Sequence, residues 1–362
     1  MGVVESSIHG RIRLRMADSY PWRQEWLDLC ADLPAADSGA GGEAVVVEVT
    51  GSSELDMRSA REVGRGIYNT PTGVIDEVYG VEVAWRDPGR LVINCTRPTL
   101  EWAMPSLLLA GLRAGCAFMH GAGLERDGVA WLFPSWGGVG KTALVAALVR
   151  SHGWRMLGDD FVIVTDDGEC LAFPKPMVLY PYHRAMFPEV FASGRGPTAP
   201  ASFNDALTRA AVALKPMLRR FPGLLQWARR HNPQSVRVAP SEVFGSDKLA
   251  AGGRIGGAVF LERVTGLSAP RLEEADGGLV GRAFGTTLSE FDPRCTMACN
   301  VALGSGHLRP EEFYERWVEC LGEGLRDAPQ YVLRLPADVA AGEVIDAVLE
   351  LLGERLTVGG SV

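Results

Sequence analysis

The sequence predicts a mixed α/β fold, and two features of its patterning lead to that expectation. Short runs of β-branched and other apolar residues, typical of buried strands, alternate along the chain with segments of helical periodicity. One such run, at 129–133, leads through a glycine-rich turn directly into a helical pattern at 143–149. Strands that alternate with helices in this way form sheets covered by helices.

Residues 1–100 are expected to form an N-terminal α/β region. A turn tripeptide, Asp87-Pro88-Gly89, joins two of its strand patterns into a hairpin. No residue pattern in this region points to chemistry, which favours a structural or substrate-shaping role. The elements that we expect are strands at 12–16, 44–49, 81–85 and 91–95 and helices at 22–33 and 99–112.

Residues 101–362 are expected to form one larger unit that carries a helical insertion at about 195–245. Its other elements are strands at 129–133, 161–164, 258–261 and 331–335, helices at 143–149 and 341–352, and more than one helix around 308–325. The insertion is basic: against one acid, Asp205, stand Arg209, Lys215, Arg219, Arg220, Arg229, Arg230 and Arg237. In an acidic chain this asymmetry indicates either a wall that attracts an anionic substrate or nucleotide, or a solvated pair of amphipathic helices.

The composition narrows the class of protein. The chain has 47% apolar and 22% charged residues, as ordinary globular proteins do. Its net charge, 36 − 44 = −8, argues against a protein that binds nucleic acid or a membrane surface, because such proteins are basic. The N-terminus lacks the apolar segment of a secretory signal and the seven cysteines are scattered. We therefore expect a cytoplasmic protein with reduced thiols, and the sequence is compatible with a homo-oligomer.

A phosphate-binding loop is predicted between the strand at 129–133 and the helix at 143–149. Glycines let backbone N–H groups surround a phosphate, and the N-terminus of the following helix adds the positive end of its dipole. The pattern is that of a Walker A loop, G-x-x-x-x-G-K-[ST], with Ser135 in place of the first glycine. Lys141 is expected to contact the β and γ phosphates, and the Thr142 hydroxyl to bind Mg²⁺. The predicted nucleotide-binding residues are Ser135, Trp136, Gly137, Gly138, Val139, Gly140, Lys141, Thr142 and Ala143.

Two adjacent carboxylates, Asp159 and Asp160, stand directly before the strand predicted at 161–164. Near a phosphate loop, one carboxylate can hold Mg²⁺ while the other accepts a proton from an attacking hydroxyl. Neighbouring side chains of an extended segment point to opposite faces, so the two aspartates are expected to differ in role. His120 lies on the strand before the loop strand, where a histidine can contact a phosphate or relay a proton.

Taken in order, His120-Gly121, the loop and Gly158-Asp159-Asp160-Phe161 resemble the catalytic domain of HPr kinase/phosphorylase. The resemblance covers mainly residues 117–165, with a weaker echo at Phe173-Pro174-Lys175-Pro176 and at 259–263. It implies a P-loop core related to that of ATP-dependent phosphoenolpyruvate carboxykinase. It also implies that His120 is an active-site histidine, that Asp159 is the catalytic base, and that Asp160 lies on the metal side with Thr142.

The chain departs from that family in three ways. Its loop continues Lys-Thr-Ala, where the family has an acidic residue after the hydroxyl. The family's glycine-flanked arginine signature is not evident after Asp160, and the chain is longer than the family's catalytic domain. These differences favour a divergent relative that phosphorylates a hydroxyl of a small molecule, an amino acid or a modified peptide rather than HPr itself.

The predicted function is that of a Mg-ATP-dependent kinase with Asp159, Asp160, His120 and Lys141 as catalytic residues. The substrate is a hydroxyl compound that can be anionic, and Lys175, Arg184 and Arg254 are further basic candidates for its binding. The identity of the acceptor stays open, and so does the choice of ATP, GTP, ADP or pyrophosphate as donor.

Three other functions have to be compared with that of a kinase. A non-catalytic, ATP-sensing regulator would use the same phosphate loop. A GTPase switch is disfavoured because the sequence has no Asn-Lys-x-Asp motif and no Asp-x-x-Gly after the loop. A carboxykinase-like lyase would need further metal ligands and a carboxylate-binding arginine, which the sequence does not identify.

Overall fold

The chain forms a mixed α/β fold, as predicted, in a computed structural model that describes residues 3–18, 20–34, 44–52, 54–97, 100–192, 235–275 and 277–356. Within these residues the strands form two eight-stranded sheets and one two-stranded ribbon. Helices cover the sheets, because the sheets present apolar faces that have to be buried.

The first sheet contains the strands from the N-terminal region, in the order β1-β2-β3-β8-β7-β6-β5-β4. These strands are β1 (Val3–Ile8), β2 (Ile12–Ala17), β3 (Val45–Gly51), β4 (Arg61–Gly64), β5 (Ile67–Asn69), β6 (Gly73–Asp76), β7 (Val81–Asp87) and β8 (Arg90–Cys95). The predicted hairpin is confirmed as the antiparallel pair β7–β8. The predicted helix at 22–33 is shorter than expected: α1 (Arg23–Asp28) ends in a series of turns.

The second sheet holds the predicted loop strand. It contains β9 (Cys116–Arg126), β10 (Val129–Pro134), β11 (Arg155–Gly158), β12 (Phe161–Thr165), β13 (Glu169–Leu171), β16 (Gly252–Val264), β17 (Arg271–Glu274) and β18 (Gln330–Pro336). Strand β9 is central, since β10, β11 and β12 all pair with it in antiparallel fashion. Strand β10 also pairs in parallel with β16. The separate ribbon consists of β14 (Met177–Leu179) and β15 (Val236–Val238).

The helices agree with the prediction in the middle of the chain and differ from it towards the C-terminus. After α1 come α2 (Ala103–Arg113), α3 (Lys141–Ser151), α4 (Pro188–Ala192), α5 (Pro240–Phe244), α6 (Leu279–Glu290), α7 (Pro293–Gly304), α8 (Arg316–Gly324) and α9 (Ala341–Leu356). Helices α6 and α7 were not predicted. The helices expected around 308–325 are a π-helical turn, Glu311–Glu315, and α8. None of the helices in the described ranges is long and apolar enough to cross a membrane.

The hydrophobic core does not stop at residue 100. One buried cluster includes Leu14 and Ile93 of the first sheet together with Phe118 and Phe260 of the second. A second cluster surrounds α3 and includes Leu144. The division into regions 1–100 and 101–362 stays a prediction.

All seven cysteines are buried and none forms a disulfide.

Most of the basic insertion predicted at about 195–245 lies outside the described residues, which omit 193–234. Its last part is described, and there Arg237 belongs to strand β15 rather than to a helix. The insertion's two alternative roles therefore stay predictions.

Candidate functional site

The predicted phosphate loop joins the end of β10 to the start of α3. Strand β10 ends at Pro134 and α3 begins at Lys141, so residues 135–140 form the connection. Gly138 and Gly140 have φ angles of 79° and 116°, in the left-handed region that favours glycine. A Cβ atom at Gly137, Gly138 or Gly140 would meet no atom within 4 Å, so open space lies beside the glycines of the loop.

The residues of the loop divide into buried supports and exposed groups. Ser135 has no exposed surface, and its Oγ lies buried without a hydrogen-bond partner. Val139 and Ala143 are also buried, whereas Trp136 is 48% exposed. The serine that replaces the usual glycine is therefore accommodated beneath the loop, and Trp136 is presented to the solvent.

Lys141 is buried at the centre of the loop, and only 8% of its surface is exposed. Its ammonium donates hydrogen bonds to the backbone carbonyls of Ser135, at 3.1 Å, and Trp136, at 3.3 Å. Burial lowers the pKa of Lys141, and the carboxylates of Asp160 and Asp159 oppose that shift. A cation thus lies inside the loop with the aspartate pair close enough to stabilise its charge.

The paired aspartates lie between two strands, β11 and β12, that both pair with β9. Strand β11 ends at Gly158, and β12 begins at Phe161. Gly158 is required at this bend, because a Cβ atom there would lie 2.1 Å from the Phe161 carbonyl oxygen. The N–H of Gly121 on β9 donates to the Asp160 carbonyl at 3.1 Å, and Gly121 also pairs with Pro134. Strand β9 therefore brings the aspartates next to the loop.

Asp159 contacts the loop. The Thr142 hydroxyl donates to Asp159 Oδ2 at 3.0 Å, while Asp159 Oδ1 is buried without a hydrogen-bond partner. Burial raises the pKa of Asp159 to about 6, with a further contribution from the charge of Asp160. Asp159 is therefore a carboxylate that exchanges its proton close to neutral pH.

Asp160 has a different set of partners. His120 Nε2 lies 3.0 Å from Asp160 Oδ1, and the ammonium of Lys175 forms an ion pair with Asp160 Oδ2. Burial alone would raise the pKa of Asp160, but Lys175 and the hydrogen bond from His120 hold it well below its usual range. The aspartates thus differ in their contacts and in their proton affinities, as the expectation of separate roles requires.

His120 is 2% exposed and lies between two carboxylates. Its Nε2 atom is 3.8 Å from Glu290 Oε1, in addition to the contact with Asp160. Its backbone N–H donates to the Thr287 hydroxyl at 2.8 Å, which connects β9 to α6. Potential metal-ligating atoms of His120, Asp160 and Glu290 all lie within 4.8 Å of one another.

Sequence reasoning missed Glu290 and Thr287, since α6 was not predicted. The helical spacing of Leu279, Ala283 and Thr286, all buried, was the available signal. Of the further basic candidates, Lys175 lies in the site. Arg254 pairs with Val129, at the end of β10 away from the loop. Arg184 lies over the ring of Phe191, at 5.5 Å from its centre.

No family model and no curated protein sequence matches the chain. Among solved structures, the chain is similar to the HPr(Ser) kinase/phosphatase from Coxiella burnetii, with a TM-score of 0.31 and 10% sequence identity. The match covers 67% of this chain and 99% of that protein. A similarity at this level transfers no residue role to this chain.

Proposed function

We propose that this chain is a nucleotide-dependent phosphotransferase that transfers the terminal phosphoryl group of Mg-ATP to a hydroxyl group. The observation that carries the proposal is the hydrogen bond of 3.0 Å from Thr142 to Asp159. It brings the pair of acids between β11 and β12 to the hydroxyl that follows the loop lysine, and a hydroxyl and an acid in this arrangement hold Mg²⁺ in phosphate-loop enzymes. The order of strand, glycine loop and helix supports the predicted P-loop core.

The loop has the features that a triphosphate needs. Open space beside its glycines allows phosphate oxygens to approach backbone N–H groups. Helix α3 begins at Lys141 and directs its positive end at the same space. Lys141 contacts two carbonyl oxygens of the loop, and a phosphate is a stronger acceptor for an ammonium than a carbonyl. We therefore expect Lys141 to move from the loop carbonyls to the β and γ phosphates.

The donor set beside the loop fits Mg²⁺. Mg²⁺ prefers oxygen ligands, and Thr142, Asp159 and Asp160 supply a hydroxyl and two carboxylates. The unpartnered oxygen Oδ1 of Asp159 is an acceptor that a cation would satisfy. The predicted ligands Thr142 and Asp160 remain our proposal, with Asp159 close enough to take part. When bound, the metal would neutralise charge on the phosphates.

In the proposed reaction, the acceptor's hydroxyl oxygen forms a bond to the terminal phosphorus. The bond between that phosphorus and the bridging oxygen of the donor breaks, and the donor leaves as the diphosphate. The hydroxyl proton passes to Asp159, whose pKa of about 6 suits a base at neutral pH. His120 holds Asp160 in place, and Asp160 stays ionised beside the reacting groups.

The contact between Thr142 and Asp159 also favours an exchange of the two aspartate roles. In that arrangement Asp159 would be the metal-side carboxylate, and Asp160, which contacts His120, would receive the proton. The low pKa of Asp160 makes it the weaker base, so we retain Asp159 in that role.

The acceptor is a hydroxyl of a small molecule, an amino acid or a modified peptide.

Binding and turnover are measured separately to test the proposal. Calorimetry with Mg-ATP is expected to show binding to the wild-type protein and to Asp159→Asn, and loss of binding in Lys141→Ala. With labelled ATP and a panel of amino-acid, sugar, nucleoside and peptide hydroxyls, the wild type is expected to phosphorylate at least one acceptor and Asp159→Asn none. Absence of binding by any nucleotide would contradict the proposal, whereas binding without transfer to any acceptor would favour the ATP-sensing alternative.

A further inference from the structure

We infer that Lys175 binds the terminal phosphoryl group of the nucleotide from the side opposite Lys141, so that two ammonium groups flank the reacting phosphorus. The inference rests on the proposed function and adds a residue to it. Three observations support it: lysine is rare in this chain, the ammonium of Lys175 contacts Asp160, and backbone hydrogen bonds hold Lys175 in position.

Lysine is a rare residue in this chain. Of the 36 basic residues only four are lysines, namely Lys141, Lys175, Lys215 and Lys248, and the other 32 are arginines. Lys175 forms an ion pair with Asp160, and Lys141 lies near enough to the aspartate pair for the two carboxylates to act on its charge. An ammonium is a compact charge with three rotatable donors, whereas a guanidinium is a wide planar fork. Lysine at both positions is expected where a small cation has to fit among carboxylates and phosphate oxygens.

The contacts of Lys175 leave one side of its ammonium available. One N–H group meets Asp160 Oδ2, and the nitrogen lies 5.1 Å from the centre of the Phe161 ring. The side chain keeps 20% of its surface exposed. Because an ammonium has three N–H donors, Lys175 can donate to a phosphoryl oxygen without releasing Asp160.

The charges of both lysines act on the same acids. Asp159 is stabilised as an anion by both Lys141 and Lys175, and Lys141 in turn interacts with Asp160. Lys141 reaches this point from inside the loop, and Lys175 reaches it from the segment that follows β13. A terminal phosphate at the aspartate pair would therefore have a cation on each side. Charge that develops on its oxygens in the transition state is stabilised by donors placed in this way.

The backbone around Lys175 is anchored to β11, the strand that leads into the aspartates. The N–H of Phe173 donates to the Leu157 carbonyl at 2.8 Å, and the N–H of Lys175 donates to the Phe173 carbonyl at 2.8 Å. Phe173 is fully buried and packs edge-on against Phe118 at 5.1 Å. The prolines on either side of Lys175 restrict their own φ angles. These constraints preorganise the ammonium and reduce the entropy that is lost when it binds a ligand.

The test compares nucleotides with and without a terminal phosphate. The wild type, Lys175→Met and the control Lys248→Met are titrated by calorimetry with Mg-ADP and with the Mg complex of a non-hydrolysable ATP analogue. We expect Lys175→Met to weaken binding of the ATP analogue by roughly tenfold, the worth of one charge-assisted hydrogen bond. Its affinity for ADP should stay within about twofold of the wild type, and Lys248→Met should match the wild type for both ligands.

The outcomes separate the two proposals. If the wild type binds neither nucleotide, the proposed function and the role of Lys175 fail together. If the wild type binds the ATP analogue and Lys175→Met binds it equally well, only the role of Lys175 fails. An equal loss of both nucleotides, with a lower melting temperature, would show a structural ion pair and would also overturn the inference. Should Lys175→Met not fold, Lys175→Gln, which retains a donor for Asp160, is titrated in the same way.

Discussion

Asp159 and Asp160 are adjacent in sequence, yet their pKa values move in opposite directions. Burial raises the proton affinity of both carboxylates, but only Asp160 touches Lys175 and His120. Asp159 touches the neutral hydroxyl of Thr142 and stays close to half-protonated near pH 6. When the pKa values of two carboxylates are separated in this way, one (here Asp159) can accept a proton while the other (Asp160) stays an anion.

The first prediction concerns the pH dependence of phosphoryl transfer. If Asp159 is the base, kcat/KM rises with pH through about 6, as its carboxyl group loses its proton in the free protein. In Asp159→Asn this rising limb should disappear and kcat should fall by about 10²- to 10⁴-fold, the usual worth of a general base. The measurement is kcat/KM for Mg-ATP from pH 5 to 8, because this quantity reports the pKa of the free protein. A rising limb that persists in Asp159→Asn and disappears in Asp160→Asn would assign the base to Asp160.

The second prediction is that Asp159→Asn stabilises the protein without nucleotide at pH 7.5. A folded pKa above the unfolded value means that the folded state holds an extra proton between about pH 4 and 6, so stability falls as the pH rises through that window. Asparagine does not titrate and so avoids this loss of stability. We expect the free energy of unfolding to rise by at most about 3 kcal/mol. Urea unfolding at pH 7.5 and pH 4 measures it. The gain should be much smaller at pH 4, and a destabilised variant at pH 7.5 would contradict the prediction.

Asp160→Asn, the third prediction, should have the opposite effect on stability. It leaves Lys175 without its counter-charge and weakens the hydrogen bond of His120. We expect a loss of about 1 kcal/mol at pH 7.5, because solvent screens a carboxylate whose side chain is 39% exposed. Because the folded pKa of Asp160 is lowered, its contribution is present above the unfolded value and is lost as the pH falls towards the folded one. The same unfolding experiment, run beside Asp159→Asn, compares two isosteric changes at neighbouring positions.

At the scale of the element, the loop and α3 depend on backbone conformations that only glycine adopts easily. Gly140 precedes the first residue of α3 with φ at 116°. Gly137 lies in the same loop without a positive φ angle, and neither glycine has an atom within 4 Å of the place where a Cβ would be. The two positions therefore differ in backbone strain and not in steric space.

The fourth prediction uses that difference. Gly140→Ala should cost at least about 1 kcal/mol, because a Cβ atom is strained at this φ angle, and it should remove the stabilisation by Mg-ATP. Gly137→Ala is the matched control and should change the free energy of unfolding by less than about 0.5 kcal/mol. Chemical denaturation with and without nucleotide measures both effects. Equal behaviour of the two variants would show that the backbone of Gly140 does not shape the loop.

At the scale of the whole molecule, a buried ion pair connects the first sheet to the C-terminal helices. Asp76 on β6 is fully buried, and Arg294 on α7 donates to its Oδ1 at 2.6 Å. Arg294 also donates to the Arg65 carbonyl at 2.8 Å, and Asp76 accepts the N–H of Val78 at 3.0 Å. The ion pair therefore holds α7 against the first sheet.

The fifth prediction is that Asp76→Ala destabilises the protein by about 3 kcal/mol, since it leaves the charge of Arg294, whose side chain is 23% exposed, without its buried partner. Guanidinium unfolding measures the change. Removal of Asp56, whose ion pair with Arg58 is exposed, serves as the control and should have no measurable effect. A small effect of Asp76→Ala would show that the other contacts of α7, such as the hydrogen bond from the Tyr79 hydroxyl to Asp292, hold it without this ion pair.

The sequence by itself determined the parts of this protein that depend on neighbouring residues. The loop from 135 to 140 is recognisable because a strand, a glycine turn and a helix follow one another along the chain. The hairpin β7–β8 and the position of His120 on β9 follow from equally local patterns. Short-range backbone preferences and the alternation of apolar residues govern these elements, so the chain can be interpreted segment by segment.

Only the tertiary structure decided how the separate segments meet. The contact of His120 with Asp160, the ion pair of Lys175 and the approach of Glu290 each join residues that are distant in sequence. Such contacts depend on how β9, β12 and α6 pack. The sequence around either residue of a contact does not predict that packing. The opposite pKa shifts of Asp159 and Asp160 have the same origin, because they arise from charges and burial that packing brings to two otherwise identical side chains.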